Sequence, residues 1–208
     1  MRSGGKTFLV ACYQVVLGMA LAIPVFAQEP GKADIPQAIA ALGGSITRTG
    51  GLASGPVIGV DLHGTTVSDA DLSMLAGLES LQTLDLRLTE ISDVGVAHLA
   101  ALENLVFLNL FRTRLSNEGL VHLQGMQRLE TLLVGGTLLT DPGLARLADL
   151  GSLKTVSLFD TAVTDAGMEQ LRGLDNLEVL LLGRTAVTGT GRAMLKDAIP
   201  GLSFEEPD

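Results

Sequence analysis

The chain has 208 residues, 14 basic and 23 acidic, a net charge of −9, with 47% hydrophobic residues, 3% aromatic residues and one cysteine. Phosphate backbones and anionic lipid surfaces repel such a charge, so nucleic-acid binding is excluded as the expected role and any electrostatically steered partner is cationic. A lone cysteine excludes a disulfide framework within the chain.

Arg2 and Lys6 precede an apolar stretch over residues 8–23, followed by Pro24 and Val25-Phe26-Ala27. This is the pattern of a secretory signal, residues 1–27, cleaved after Ala27. Ala20-Leu21-Ala22 offers a second small-residue site, but Pro24 is better placed to end the signal helix before a cut at Ala27. Two rival readings are an uncleaved anchor, for which the stretch falls short of the ~20 residues that span a bilayer, and lipidation at Cys12 in the lipobox-like Leu9-Val10-Ala11-Cys12. Cleavage removes Cys12, Arg2 and Lys6, leaving 12 basic against 23 acidic residues and a net charge of −11 from Gln28 onward. The expected location is an exported one (periplasm, cell envelope or cell exterior), with no membrane insertion after cleavage.

Residues 28–56 are expected to form an N-terminal cap. Residues 28–34 are polar, 36–42 have the composition of a short helix with Asp34 near its cap and Gly43-Gly44 at its end, and Ile46 suits a short strand before the glycine-rich turn of 50–55.

From Val57 the pattern LxxLxLxxTx(I/V/L) returns every 24 residues, starting at Val57, Leu81, Leu105, Leu129, Leu153 and Leu177. Position 4 of the repeat is Val60, Leu84, Leu108, Leu132, Val156 and Leu180, and position 6 is Leu62, Leu86, Leu110, Val134, Leu158 and Leu182. Both alternate with mostly non-aliphatic neighbours, the two-residue period of a strand with one buried face, whereas positions 11, 16, 19 and 22 switch to helical spacing. Leu72, Leu75 and Leu78 carry that helical stripe, as do Leu120, Leu123 and Met126. Each repeat is therefore expected to be one strand and one helix, too short to bury its own apolar face, so that residues 57–200 stack as six repeats around one core. The predicted fold class is α/β: a solenoid with a parallel sheet on its concave face, helices on its convex face and terminal caps. Residues 201–208 are expected to form the C-terminal cap and a loose acidic tail. Arg192 breaks the position 16 column there, Ile199 falls one residue late, and Met194, Leu195, Ile199, Leu202 and Phe204 close the core.

Position 9 is threonine in all six copies: Thr65, Thr89, Thr113, Thr137, Thr161 and Thr185. An inward hydroxyl has one donor and two acceptor lone pairs, which predicts a ladder bonded to neighbouring loop backbone. Helix starts are written Ser92-Asp93-Val94-Gly95, Ser116-Asn117-Glu118-Gly119, Thr140-Asp141-Pro142-Gly143 and Thr164-Asp165-Ala166-Gly167. Their side-chain oxygens are suited to capping, Pro142 suits a first helical position, and the glycine is expected to permit close packing. A calcium ladder would need six to eight oxygens, and each repeat offers a single carboxylate.

These motifs resemble the leucine-rich repeat family, whose signature is LxxLxLxx(N/C)xL. The resemblance covers residues 57 to about 204, with threonine standing where the family usually has Asn or Cys. The family turns that side chain inward as the strand ends. The (S/T)-D-x-G-(L/M/V) form is similar to repeats of many bacterial members and of eukaryotic F-box proteins. No F-box-like helical segment precedes the repeats, so ubiquitin-ligase function is not carried over.

Candidate chemistry is sparse. His98 and His122 share position 18 of consecutive repeats on a mostly polar column and lack evident third and fourth metal ligands. His63 lies near Asp61 and Asp85 on the strand face, an acid/base cluster without an accompanying nucleophile or oxyanion site. No catalytic residue, metal or cofactor is therefore expected.

The outward strand positions are more telling. Phe107, Phe111 and Phe159 fall on the concave side, where the core needs none of them, joined by Leu88, Leu133 and Leu181, with Arg87, Arg112, Asp160 and Arg184 nearby. Phe111 and Phe159 share position 7 on either side of Gly135. At about 4.8 Å per strand they should flank a slot roughly 10 Å wide. Gly136 would lie beside the gap, Leu133 along the neighbouring column, and Arg112 and Asp160 at its oppositely charged ends. The expected ligand site is Phe107, Phe111, Phe159, Leu133, Gly135, Gly136, Arg87, Arg112 and Asp160, and the expected partner a protein or peptide. Two other functions compete: a structural or assembly protein of the cell envelope, and an envelope hydrolase acting through His63 and Asp85.

Overall fold

The strand of each repeat is only three residues long in most copies, with a buried aliphatic residue at its middle. A computed structural model describes residues 34–51 and 54–205, within a unit spanning residues 32–208. The repeat strands are β2 (Val57–Asp61), β3 (Thr83–Asp85), β4 (Phe107–Asn109), β5 (Thr131–Leu133), β6 (Thr155–Ser157) and β7 (Val179–Leu181). Leu84, Leu108, Leu132, Val156 and Leu180 at their centres are fully buried. Each pairs in parallel with the residue 24 positions on, as Leu84 does with Leu108 and Leu132 with Val156, so the sequence period is the sheet register.

The sheet has eight strands in chain order. At one edge β1 (Ser45–Arg48) runs antiparallel to β2, after helix α1 (Ile35–Ala41) has placed Ile39 over the open end of the core. At the other edge β8 (Ser203–Glu205) runs parallel to β7, pairing Phe204 with Leu180. Phe204 thus takes position 4 of a truncated seventh repeat, beyond the six that the pattern counts. Helix α5 (Gly189–Ala198) precedes it, burying Leu195, with Ile199 and Leu202 just beyond its end. The Arg192 guanidinium lies 5.7 Å from the Phe204 ring.

The solenoid predicted from the period is borne out, but its convex side is not a row of regular helices. It consists of short α turns, α2 (Asp93–Ala97), α3 (Asp141–Leu144) and α4 (Asp165–Met168), and 3₁₀ turns at Ala70–Gly77, Gly119–Leu123 and Glu169–Leu171. The apolar columns at positions 16, 19 and 22 explain why. Their spacing of three lines up on one face at the three residues per turn of a 3₁₀ helix, which also covers more length per residue. Leu120, Leu123 and Met126 are fully buried by this arrangement. Truncating such a leucine to alanine removes about 2–5 kcal/mol.

The expected threonine ladder between loops is absent. Each hydroxyl instead donates to the carbonyl three residues back in its own repeat, from Thr65 to Leu62 at 2.7 Å through Thr113 to Leu110 at 2.8 Å to Thr185 and Leu182 at 2.6 Å. The threonine closes its own turn because the carbonyl of the first residue past the strand lies within reach before any neighbour does.

A recurring side-chain bond between repeats comes from position 13. Asp93 Oδ1 accepts the Ser116 N–H at 2.8 Å and its Oδ2 the Ser116 hydroxyl at 2.6 Å, and Asp141 does the same for Thr164 at 2.7 Å each. Asp69 holds Ser92 and Asp165 holds Thr188 in this manner. In the middle rung Asn117 accepts from the Thr140 N–H and donates to its hydroxyl. Sequence reading assigned these side chains to capping their own helices. Capping is done by the Ser or Thr before them, as when Ser92 accepts from the Val94 N–H and Thr164 from the Ala166 N–H, except at Thr140, where Pro142 has no N–H to give. The recurring glycine follows from the clamp: a Cβ on Gly95, Gly119, Gly143 or Gly191 would come within 2.3 Å of the preceding repeat's Asp or Asn oxygen, and on Gly167 within 2.4 Å.

The export signal, its cut after Ala27, Cys12, residues 28–33 and the tail beyond Glu205 lie outside the described residues. Among the described residues no helix is long and apolar enough to cross a membrane.

Candidate recognition site on the concave face

Positions 5 and 7 of each repeat project from the strand ends onto the concave face, and their chemistry changes along the solenoid. In the first three repeats the position 5 oxygen folds back onto its own backbone. Asp61 accepts the His63 N–H at 3.0 Å, Asp85 the Arg87 N–H at 3.0 Å, and Asn109 the Phe111 N–H at 3.1 Å. In the last three repeats this column is Leu133, Ser157 and Leu181.

The acid/base cluster expected around His63 comes together only in part. His63 Nδ1 lies 2.7 Å from Asp61 Oδ1, whereas Asp85 turns to Arg87, whose Nε is 3.6 Å from Oδ2. Partial burial works against ionisation of Asp61, but the backbone and side-chain hydrogen bonds of His63 and the charges of His63 and Arg87 outweigh it and hold its pKa below the ordinary value. Among the described residues no group of three His, Cys, Asp or Glu is placed to hold a metal, and His98 and His122 are half-exposed on the convex side.

The slot predicted between Phe111 and Phe159 is closed. Their ring centroids are 6.4 Å apart with planes inclined by 37°, well inside the roughly 10 Å of two strand spacings. The rings lean together because Gly135 puts no side chain between them. A Cβ there would meet the Phe159 carbonyl oxygen at 2.8 Å and the Phe111 ring at 3.1 Å. Phe107 stands apart from this pair and lines a separate depression of about 120 Å³ with Thr47, Asp61, Thr83 and Asp85.

Position 8 has a feature that the sequence did not disclose. All six residues in this column adopt positive φ: Gly64 (63°), Leu88 (58°), Arg112 (54°), Gly136 (66°), Asp160 (56°) and Arg184 (60°). Left-handed backbone costs about 1–2 kcal/mol at a residue with a side chain. Bonds between repeats offset it: the Arg112 N–H donates to the Gly135 carbonyl at 2.8 Å, Gly136 to Phe159 at 2.7 Å and Asp160 to Gly183 at 2.9 Å. The glycines at two copies were the only sequence signal. This turn lays the Arg112 guanidinium 5.2 Å from the Phe111 centroid and that of Arg184 5.9 Å from Phe159. Arg184 Nε also lies 3.3 Å from Asp160 Oδ1. Asp160 is therefore a neutralised rim residue, not the free acidic end expected opposite Arg112, and Gly136 packs against the Arg112 stem.

In place of a slot the face holds an open groove of about 370 Å³ beside the ring pair, lined by Arg87, Asn109, Phe111, Leu133, Ser157, Phe159 and Leu181. Asn109 and Ser157 were not among the expected site residues. Their common position in the column with Leu133 and Leu181 was the available signal.

A family model described as Leucine Rich repeat matches residues 77–100, one period of the pattern. Among solved structures, internalin C2 from Listeria monocytogenes (strain 4b F2365) is similar at 30% identity over 65% of this chain and 55% of its own, with a TM-score of 0.50. A second internalin of that strain, inlF, is similar at 18% identity over 83% of this chain and 54% of its own, with a TM-score of 0.53, a likeness of fold. The chain thus spans about half the length of these two proteins. No curated protein matches it.

Proposed function

Given that the chain belongs to the leucine-rich repeat family, we propose that it is an exported, non-enzymatic module that recognises a protein or peptide through its concave sheet. The observation that carries this reading is the Phe111–Phe159 pair, half-exposed beside Leu133 and Leu181 over a core that is complete without them. Aromatic side chains concentrated on one accessible face are the usual anchors of interfaces. Ser45 shares a small depression with the His63–Asp61 pair, but among the described residues no hydrogen bond links its hydroxyl to His63, so the nucleophile–base contact that argues for hydrolysis is not made. Residues 1–27 are read as the export signal; a mature N-terminus at Gln28 in mass spectrometry of the native protein supports export, and a full-length product or a lipid on Cys12 contradicts it.

The binding reading is tested by immobilising the protein and its Leu133→Asp variant and exposing both to envelope extract of the producing cell. Partners held by the first and lost by the second support concave recognition. Identical capture by both, with unchanged self-association, supports the envelope-assembly alternative instead.

A further inference from the structure

The groove beside the ring pair has free hydrogen-bond donors, while the carboxylates near it are paired. Its strands all have neighbours on both sides in the sheet, so no strand edge is open within it and an occupant must be read by side chains. The nearby acceptors are engaged: Asp85 by the Arg87 N–H and Nε, Asn109 Oδ1 by the Phe111 N–H, and Asp160 Oδ1 by Arg184. The donors are not. Asn109 and Ser157 are 3% and 6% exposed, both line the groove, and among the described residues neither the Asn109 amide N–H groups nor the Ser157 hydroxyl meets a protein partner. Arg112, exposed on the rim above Phe111, pairs with no carboxylate among the described residues. In a chain of net charge −9 this corner offers donors and a free cation over an apolar floor.

Distances limit the occupant. Asn109 and Ser157 lie two strands apart, about 9.6 Å. A chain in the polyproline II conformation, with three residues per turn and about 3.1 Å rise, presents every third carbonyl on one side about 9.3 Å apart. From Arg87 to Leu181 the groove crosses four strand spacings, about 19 Å, the length of about six such residues.

We infer that the groove binds an extended peptide segment in which a carboxylate side chain neighbours a bulky apolar one, an inference that rests on the concave-recognition reading. The apolar side chain lies against Leu133 and Leu181 with the Phe159 ring as its wall. Peptide carbonyls accept from Asn109 and Ser157, and the carboxylate pairs with Arg112, whose planar fork suits it.

Fluorescein-labelled, end-capped heptapeptides test this. Three pools carry Glu, Gln or Lys next to a fixed Leu, with the remaining positions drawn from Ala, Ser, Thr and Pro, and binding is read by anisotropy. The Glu pool should bind at least about tenfold more tightly than the Lys pool. Arg112→Gln, at an exposed side chain, should shrink that ratio to less than about threefold, and Ser157→Val should weaken the Glu pool by about fivefold or more. Pools of equal affinity, a preference for Lys, a Glu preference that survives Arg112→Gln, or no binding by any pool overturns the inference. Leu133→Asp separates the two levels. Binding abolished by it with Glu and Lys pools equal leaves concave recognition standing and removes only the acidic specificity, whereas peptides that bind the variant undiminished remove the concave site itself. Melting curves of each variant exclude unfolding as the cause of lost binding.

Discussion

The turn into the convex side and the concave face are built on opposite rules. At the turn, position 13 is Asp69, Asp93, Asn117, Asp141 and Asp165, and position 15 of the following repeat is glycine each time; each of these side chains bonds the next repeat. On the concave face, position 7 runs His63, Arg87, Phe111, Gly135, Phe159, Gly183, and position 5 changes from polar and self-bonded to apolar or unpaired. Every internal repeat sees the same neighbour, so a residue that answers to the neighbour must recur. A residue that varies from copy to copy has been released from stacking and is available to something outside the solenoid.

The comparison predicts the largest loss of stability where a clamp is filled. Gly167→Val would drive carbon into Asp141 Oδ1 and into Leu144 Cδ1, 2.8 Å from the Cβ position, so both bonds to Thr164 break. The expected cost in urea unfolding is about 3 kcal/mol or more, from overpacking and the lost bonds to a charged group. Asp141→Ala leaves the space but removes the acceptor, at about 2 kcal/mol. Asp141→Asn should recover most of that, because Asn117 already makes the same rung with Thr140. A Gly167→Val protein as stable as the parent would show that the recurring glycine has no role in stacking.

This division also decides what was legible in the sequence. Columns such as Leu84, Leu108 and Leu132 disclosed the sheet register, because burial repeats when geometry repeats. The glycine after each clamp signalled close packing, but its partner, an oxygen 26 residues earlier such as Asp69 for Gly95, is a distance that no local pattern encodes. The threonine ladder failed for the reverse reason: the hydroxyl's acceptor was local, Leu110 for Thr113, and a recurring residue need not bond its own copies. At the candidate site Arg87, Phe111, Leu133 and Phe159 were readable from their columns and line the groove, whereas Asn109 and Ser157 were not singled out, and the closed ring pair and the left-handed turn at Arg112 depend on three-dimensional curvature and backbone angles.

Substitutions at the concave rings should separate stability from binding. Phe159→Ala removes a half-exposed ring and its contact with Phe111, so the expected loss of stability is about 1 kcal/mol, while partner affinity should fall by about 2 kcal/mol. Phe111→Ala should behave alike, and the double variant should lose less stability than the two summed, since each single change already forfeits the shared contact. Calorimetry against a captured partner, with unfolding curves for all three, measures both effects. A Phe159→Ala penalty as large as that of Gly167→Val would place the rings in the core and erase the contrast between the two regions.

The smallest effect expected is a pH dependence at the last clamp. Asp165 is half-exposed, and the side-chain bond from Thr188, followed by its backbone N–H, holds the carboxyl below its ordinary value of 3.8. Partial desolvation opposes these bonds, and a further one from the Gly191 N–H adds to them. Because the folded-state pKa is the lower one, the clamp contributes in full above the ordinary carboxylate value, and that contribution disappears as pH falls through the folded value. Asp165→Asn keeps the geometry seen at Asn117 but cannot titrate. Denaturation midpoints of the parent and of Asp165→Asn, compared from about pH 6 to about pH 3, should converge toward acid as the parent alone loses this rung. Parallel curves would mean that Thr188 is held equally by the neutral acid, so that the carboxylate's charge adds nothing to the stacking of the last two repeats.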